Sequence, residues 1–352
     1  QSSTISVPSD QVVILVAEFS EGATREVPAD RTITYKIIEE LKHLEKNDSR
    51  LDIVEHGKVI LDSEEARIEG RAKGASVVIW GVYTTSPTMI DIEPHLELLS
   101  IPVAVFARGH LSGPEERIVD IETYHSFDLH LELKQEMSYL SAFVAGIAHY
   151  LEDRYDEALV DFDVALVDAI ESRSLGTESI YYFKGFVFRE QGRYSEAERQ
   201  FEEAIAVNPR FAEAYNGLGL TYSDQDRNLK AAEQYIQAIE VDPEFALAYN
   251  NLAMAYRRQD RPDEESEVLL GKALDLDSSL TIAYLNLGAI YEERGEYTKA
   301  LTKYDEAIQS NPYYEDAYYY RASLYYQIGR LQEAEEDCKK VLELESDHAL
   351  TH

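Results

Sequence analysis

Asp91, Glu93, His95 and Glu97 alternate along one stretch of the chain. On a common strand face their oxygen and nitrogen donors could ligate a divalent cation. Alternate strand residues lie about 6.6 Å apart, however, and rarely converge on one point, so solvated side chains account for the spacing equally well. His110, His125 and His130 show neither HxxxH nor HExxH spacing. Cys338 stands alone, which excludes an intrachain disulfide and a CxxC metal site. It occupies the place where related segments carry Phe201 or Tyr304, so a buried thiol is expected rather than a nucleophile. The segment SEGATREVPAD, after the first apolar run, holds no GxGxxG and no GxxxxGK[ST]. No catalytic residue, metal or cofactor is therefore expected.

The elements fall into two grammars. In the first, QVVILVAEF (11–19) and ASVVIWGVYT (75–84) are continuous apolar runs of buried-strand length, and LDIVEH (51–56) reads as a third strand. Ile33, Ile37, Leu41 and Leu44 predict a helix over 31–46 with Asp30 as its N-cap; SEEARIEGRAKG (63–74) predicts another ending at Gly74. This order implies parallel pairing, and the alternating stretches 88–99 and 116–133 imply antiparallel strands with one wet face. The reading is an α/β domain with a mixed sheet over residues 1–135.

The second grammar is a repeat. AYNGLGLTY (214–222), AYNNLAMAY (248–256), AYLNLGAIY (283–291) and AYYYRASLY (317–325) are variants of one unit, and YYFKGFVF (181–188) and AFVAGIAHY (142–150) are more divergent copies. Small residues at 146, 185, 219, 253, 288 and 322 keep the phase, and Ala158, Ala197, Ala231, Ser266, Ala300 and Ala334 form a second small series. Such pairs let antiparallel helices approach closely. Phe162, Phe201, Tyr235, Leu270, Tyr304 and Cys338 fill the matching place on the second helices. Prolines at 209, 243 and 312 stop helices, and QGRY, RGEY and IGRL supply the turns within pairs. Arg261 and Pro262 mark a one-residue insertion, and the first unit has a long second helix or linker, its extra residues falling after Ala158 and expected in SRSLGT (172–177).

This pattern resembles the tetratricopeptide repeat. The resemblance implies an all-α superhelical solenoid of six units over 139–348, divided at 139–177, 178–211, 212–245, 246–280, 281–314 and 315–348. Departures are Ser278 and Ser346 at proline positions and Arg321 at an apolar one. The first part resembles small α/β domains that precede repeat arrays in bacterial signalling and ATPase-linked proteins, on AKGASVVIWGVYT (72–84) and EMSYLSAFVAGIAHYLEDRYDEAL (136–159).

In such families the first helices line a groove for a partner protein or extended peptide. The positions it implies here are Phe143, Ile147, Tyr182, Phe183, Phe186, Arg189, Asn216, Leu220, Asn250, Asn251, Met254, Arg257, Leu285, Asn286, Tyr319, Tyr320 and Ser323. Amides can pair with a peptide backbone, or merely bridge neighbouring helices. The two-lysine, two-asparagine, one-arginine carboxylate clamp of some members has no counterpart in phase. Of 25 tyrosines, 22 lie from Tyr139 onward, most of them explained by packing.

A formal charge of −34 disfavours nucleic acid and anionic membranes and suits a basic or weakly charged partner. The function expected is a protein-interaction scaffold or sensor, with a ligand-sensing α/β domain or an α/β enzyme as alternatives. Leu331, Ala334, Cys338, Val341 and Leu342 are expected to leave an open face suited to self-association. No apolar run approaches the roughly 20 residues that span a bilayer. The start at Gln1 reads as an excised or processed fragment, so a signal or membrane segment could precede it. A cytoplasmic location is expected, with an extracytoplasmic part of an anchored or secreted protein as the alternative.

Overall fold

A computed structural model describes residues 12–18, 20–21, 34–35, 37–39, 41–42, 50–60, 63–85, 90–98, 126–128, 131–132, 137–172 and 177–351. The sheet contains β1 (Val12–Glu18), β2 (Ser20–Glu21), β3 (Leu51–Val59), β4 (Val77–Thr85), β5 (Ile90–Leu98), β6 (Ser126–Asp128) and β7 (Leu131–Glu132). Its order is β3-β1-β4-β5-β6, with β2 also on β4 and β7 on β5. β1 lies parallel to both β3 and β4, and every one of its residues is buried. A strand covered on both faces needs the unbroken apolar run seen there. From β4 to β5 pairing turns antiparallel, Val77 opposite Leu98 through Thr85 opposite Ile90. The sheet is mixed as expected, with the first apolar run, β1, placed between β3 and β4.

Helix α1 (Ser63–Lys73) packs on β4 and β5 and buries Ala66 with Val13, Leu15, Val78 and Trp80. Residues 37–39 and 41–42 are helical and bury Ile37, Ile38 and Leu41, as the spacing requires. Asp30, Ile33, Leu44 and the stretch 116–125 lie outside the described residues.

Twelve helices follow in antiparallel pairs among the described residues: α2 (Met137–Leu151), α3 (Tyr155–Ser172), α4 (Thr177–Glu190), α5 (Tyr194–Val207), α6 (Ala212–Ser223), α7 (Asn228–Val241), α8 (Ala246–Arg257), α9 (Asp263–Leu276), α10 (Thr281–Glu293), α11 (Tyr297–Ser310), α12 (Glu315–Gln327) and α13 (Leu331–Thr351). Two compact units result: one takes in the α/β domain and the helices up to Asn208, the other the helices from Pro209. In the first, Arg50 beside β3 pairs with Glu152 in the α2–α3 turn at 3.1 Å.

Each helix pair closes on one steric lock. A Cβ built on Gly146 would stand 2.6 Å from the Phe162 ring. At Gly185 it would meet Phe201 at 2.8 Å, at Gly219 Tyr235 at 2.5 Å, and at Gly288 Tyr304 at 2.3 Å. Each of these rings is fully buried. Where alanine replaces the glycine, at Ala253 and Ala322, the second helix carries Leu270 and Cys338 instead of a ring. Ring against glycine and smaller chain against alanine are two ways to keep the same helix separation.

The turns obey a second rule. The N–H of residue 154, 193, 227, 261, 296 or 330 bonds the carbonyl five residues back in every pair. This 6→1 bond needs a left-handed residue just before it. Gly192, Gly295 and Gly329 supply it at φ +69°, +72° and +78°; Asp153, Asp226 and Asp260 take the same conformation at φ +57°, +56° and +55°. Arg193, Arg227, Arg261 and Arg330 then fold over Phe188, Tyr222, Tyr256 and Tyr325, 3.6–4.4 Å from the ring centroids. The ring belongs to the residue whose carbonyl takes the turn's hydrogen bond, so one arginine closes the turn twice.

Three features depart from the plain repeat. The first unit's extra length goes mainly into helix: α3 has 18 residues where α5 has 14. Helix α13 runs through Ser346 to Thr351, whereas α9 ends before Ser278, the other position that lacks a proline. Cys338 is exposed, not a core thiol; among the described residues no helix covers it as α12 covers Tyr304 through Tyr320. On the same helix Leu331 and Leu342 are exposed, while Ala334 is buried. Arg321, at an apolar position, is held by Asp305 at 2.6 Å and by both oxygens of Asp337 at 2.7 and 2.8 Å.

The lock predicts a compensation. Gly288→Ala should destabilise the chain by about 1–3 kcal/mol through overpacking, outweighing alanine's helix propensity of about 1 kcal/mol. Adding Tyr304→Leu, which copies the Ala253–Leu270 pair, should cost less than the sum of the single changes in urea denaturation.

Candidate functional site

The expected groove residues separate by unit. In the first unit, Phe143, Ile147, Tyr182, Phe183 and Phe186 are all buried. Phe183 packs on Phe143 and Phe162 at 5.5 and 5.8 Å, and Tyr182 and Phe186 pack on Phe201 at 5.9 and 5.3 Å. These rings join first helices to the locking rings of second helices. They are interior packing, not an open wall. Arg189 is also buried, with Nη1 3.7 Å from Glu190 Oε1.

In the second unit the four asparagines form a chain. Asn286 Nδ2 donates to Asn250 Oδ1 at 2.9 Å, Asn250 Nδ2 to Asn251 Oδ1 at 3.0 Å, and Asn251 Nδ2 to Asn216 Oδ1 at 3.0 Å. Every amide points the same way, across α10, α8 and α6. Two aligned columns of the repeat produce this. One holds Asn216, Asn250 and Leu285; the next holds Gly217, Asn251 and Asn286. A second-column amide donates to the first-column amide of the preceding unit. Only α8 carries both, so it joins the two bonds into one ladder. Tyr182 and Phe183 before it, and Tyr319 and Tyr320 after it, cannot extend it in kind.

The ladder has two loose ends. Asn216 Nδ2 and Asn286 Oδ1 are buried and have no hydrogen-bond partner among the described residues. Leaving a buried donor or acceptor unmet costs about 1–3 kcal/mol each. Leu220, Met254 and Leu285 are buried apolar side chains on the same helices. Seven residues beyond Asn250 and Asn286, the guanidinium of Arg257 meets the Glu293 carboxylate, and Arg257 Nε lies 3.6 Å from Asp263 Oδ1. Arg258 Nη1 meets Ser223 Oγ at 2.5 Å, a contact that the spacing did not single out.

The last unit opens outward. Tyr319 is 45% exposed and Ser323 is exposed, while Tyr320 is half-buried against Tyr304 at 6.3 Å. Tyr326, seven residues beyond Tyr319, is exposed on the same face. Its spacing from Tyr319 could have found it.

Ionised groups cluster beside the ladder's helices. Arg294 contacts Asp263, Glu264 and Glu267, and Tyr291 donates to Glu267 at 2.7 Å. Burial first, then that hydrogen bond, pushes the Tyr291 hydroxyl up to about 12. Glu213, at the start of α6, is raised above the ordinary carboxylate range, by burial first and by Asp242 in addition, against its own backbone hydrogen bond.

Among the described residues no group of three or more His, Cys, Asp or Glu is placed to hold a metal, and no helix is long and apolar enough to cross a membrane.

Repeated helix pairs with glycine-aromatic locks and glycine or aspartate turns define the class, a helical repeat scaffold. The helical half carries tetratricopeptide repeats: tetratricopeptide models match residues 185–226, 290–329, 218–271 and 315–348. Among solved structures, MamA is 29% identical, with 47% of this chain and 96% of that chain covered at a TM-score of 0.40. A chain of the APC/C Cut9–Hcn1 hetero-tetramer is similar in fold, at 15% identity, 58% and 40% coverage and a TM-score of 0.50. Protein O-mannosyl-transferase TMTC2 of Mus musculus is 36% identical over 78 residues, 21% of this chain. The match spans 9% of that curated relative's length, and its activity stays with that protein. At the coarse level the array is a scaffold for protein interaction.

The Glu213 shift carries a pH prediction. A carboxyl raised in the folded state holds its proton there to a higher pH than in the unfolded chain. Stability is therefore lost as pH rises from the unfolded value of 4.5 through the folded one. Glu213→Gln should raise the melting temperature at pH 7, and the gain should shrink toward pH 4.

Proposed function

We propose that the second unit binds an extended segment of a partner protein along the face shared by α6, α8, α10 and α12. The observation that carries this reading is the asparagine ladder with a spare donor at one end and a spare acceptor at the other. A peptide backbone offers the complement of both: a carbonyl for Asn216 Nδ2 and an N–H for Asn286 Oδ1. Both atoms are enclosed, so a lining side chain must swing aside to admit the guest. Meeting two buried unmet groups would offset that displacement. Backbone contacts give affinity with little sequence demand, and exposed Tyr319 adds a rigid aromatic contact beyond the ladder. The excess of carboxylates over cations favours a neutral or basic guest. Chemistry at the site is not part of the proposal.

Panning a random-peptide phage library on the full chain, followed by fluorescence anisotropy of the enriched peptides, tests the reading. Asn216→Ala combined with Asn286→Ala should weaken those peptides at least tenfold while the circular dichroism spectrum is kept. Tyr319→Ala should weaken them less, without shifting the unfolding midpoint. Failure to enrich any peptide, or equal binding by the double variant, would reject the ladder as the binding element.

A further inference from the structure

Helix α3 differs from every other second helix in what it shows to water. Val160, Val164, Val167 and Ile170 are 62%, 48%, 54% and 60% exposed. The first three fall at i, i+4 and i+7, one face of a helix, and Ile170 borders them one turn on. From Val160 to Ile170 the stripe runs about 15 Å along the axis, at 1.5 Å per residue.

The other repeats provide an internal control. At the places of Val160, Val164 and Val167 they carry Arg199, Glu203 and Ala206; Glu233, Gln237 and Glu240; Val268, Lys272 and Asp275; Thr302, Glu306 and Gln309; and Glu336, Lys340 and Glu343. Only Val268 and Ala206 among these are apolar. The fold therefore asks for no hydrophobe at the three positions, and packing within the array does not explain three valines there. Helix α3 is also a turn longer than α5, and the added turn carries Ile170.

Charge says what can cover the stripe. Between residues 155 and 170, α3 carries Asp156, Glu157, Asp161, Asp163 and Asp168 and no lysine or arginine. Cations from neighbouring segments meet three of these: Lys184 meets Asp163 at 2.5 Å, Arg154 meets Glu157 at 3.2 Å, and His149 meets Asp161 at 2.6 Å. Asp163 stays 64% exposed and Glu157 52% exposed, so both still face an arriving partner. A second copy laid face to face would oppose one acidic border to another, which disfavours a homodimer here. We infer that α3 docks an amphipathic helix of another protein, with an apolar face for the valine stripe and lysines or arginines flanking it. The surface lies in the first unit and is separate from the asparagine ladder.

The test uses the full chain and three synthetic 18-residue helical peptides. One has a leucine face flanked by lysines, one the same face flanked by glutamates, and one the lysine peptide's composition in scrambled order. Fluorescence anisotropy should show the lysine-flanked helix binding at least tenfold more tightly than the other two, and more weakly as salt rises. Val160→Ser, Val164→Ser and Val167→Ser together keep every charge and remove only exposed side chains; this variant should lose that binding tenfold or more with its melting temperature unchanged. Equal binding of the scrambled peptide, or of the triple variant, would overturn the inference as plain charge attraction. A wild-type dimer in light scattering that the triple variant abolishes would overturn it in favour of a second copy.

Discussion

One steric relation sets the geometry of the helical half: in four of the six pairs a ring on the second helix is pressed against a glycine on the first. Van der Waals contact at Gly146, Gly185, Gly219 and Gly288 leaves no room for a single added carbon. Helix axes held this closely place successive first helices in register. That register brings Asn286 within reach of Asn250, and Asn251 within reach of Asn216. Slippage by one residue on any of the three helices would break the ladder. The polar face thus depends on an apolar constraint on its far side.

A turn rule works beside the lock. The left-handed residue, the 6→1 backbone bond and the arginine over the ring recur although the residue types change. Glycine adopts that backbone without strain, and aspartate tolerates it better than most residues. Ser266 shows the same economy of means. It replaces alanine at a buried small position and satisfies its hydroxyl by donating to the carbonyl of Ala253 at 2.9 Å. Tyr249, Tyr284 and Tyr318 each donate to a carbonyl six residues back, at 3.2, 3.3 and 3.1 Å. Periodic tyrosines therefore tie each first helix to the turn before it.

The sequence made the repeat legible because its signals were redundant. Small residues, rings, prolines and turn glycines all kept one phase, so a missing proline at Ser278 changed little: Asp277 still leaves the helix at φ −137° and ψ 97°, like Asp242 before its proline. The parallel pairing of β1 was legible from its apolar run, Val12 to Ala17, although Glu18 at the end of the strand is buried as well. The site was harder to read. Spacing told which residues share a helix face but not how deeply that face lies. Asn250 looks alike whether it faces water or another amide. Burial of Phe143, Phe183 and Phe186 depends on rings contributed by other helices, which no single-helix pattern contains. Cys338 drew two opposed readings, a core thiol by its repeat position and part of an open face by its helix, and the second fits its exposure.

The central claim concerns two amide ends, and side-chain amide NMR reads both. In a spectrum of the isotopically labelled chain, titration with a panned peptide should shift the Asn216 and Asn286 side-chain signals strongly. Those of Asn250 and Asn251, already paired on both sides, should move little. Saturated binding with the Asn216 and Asn286 signals unmoved would contradict the account.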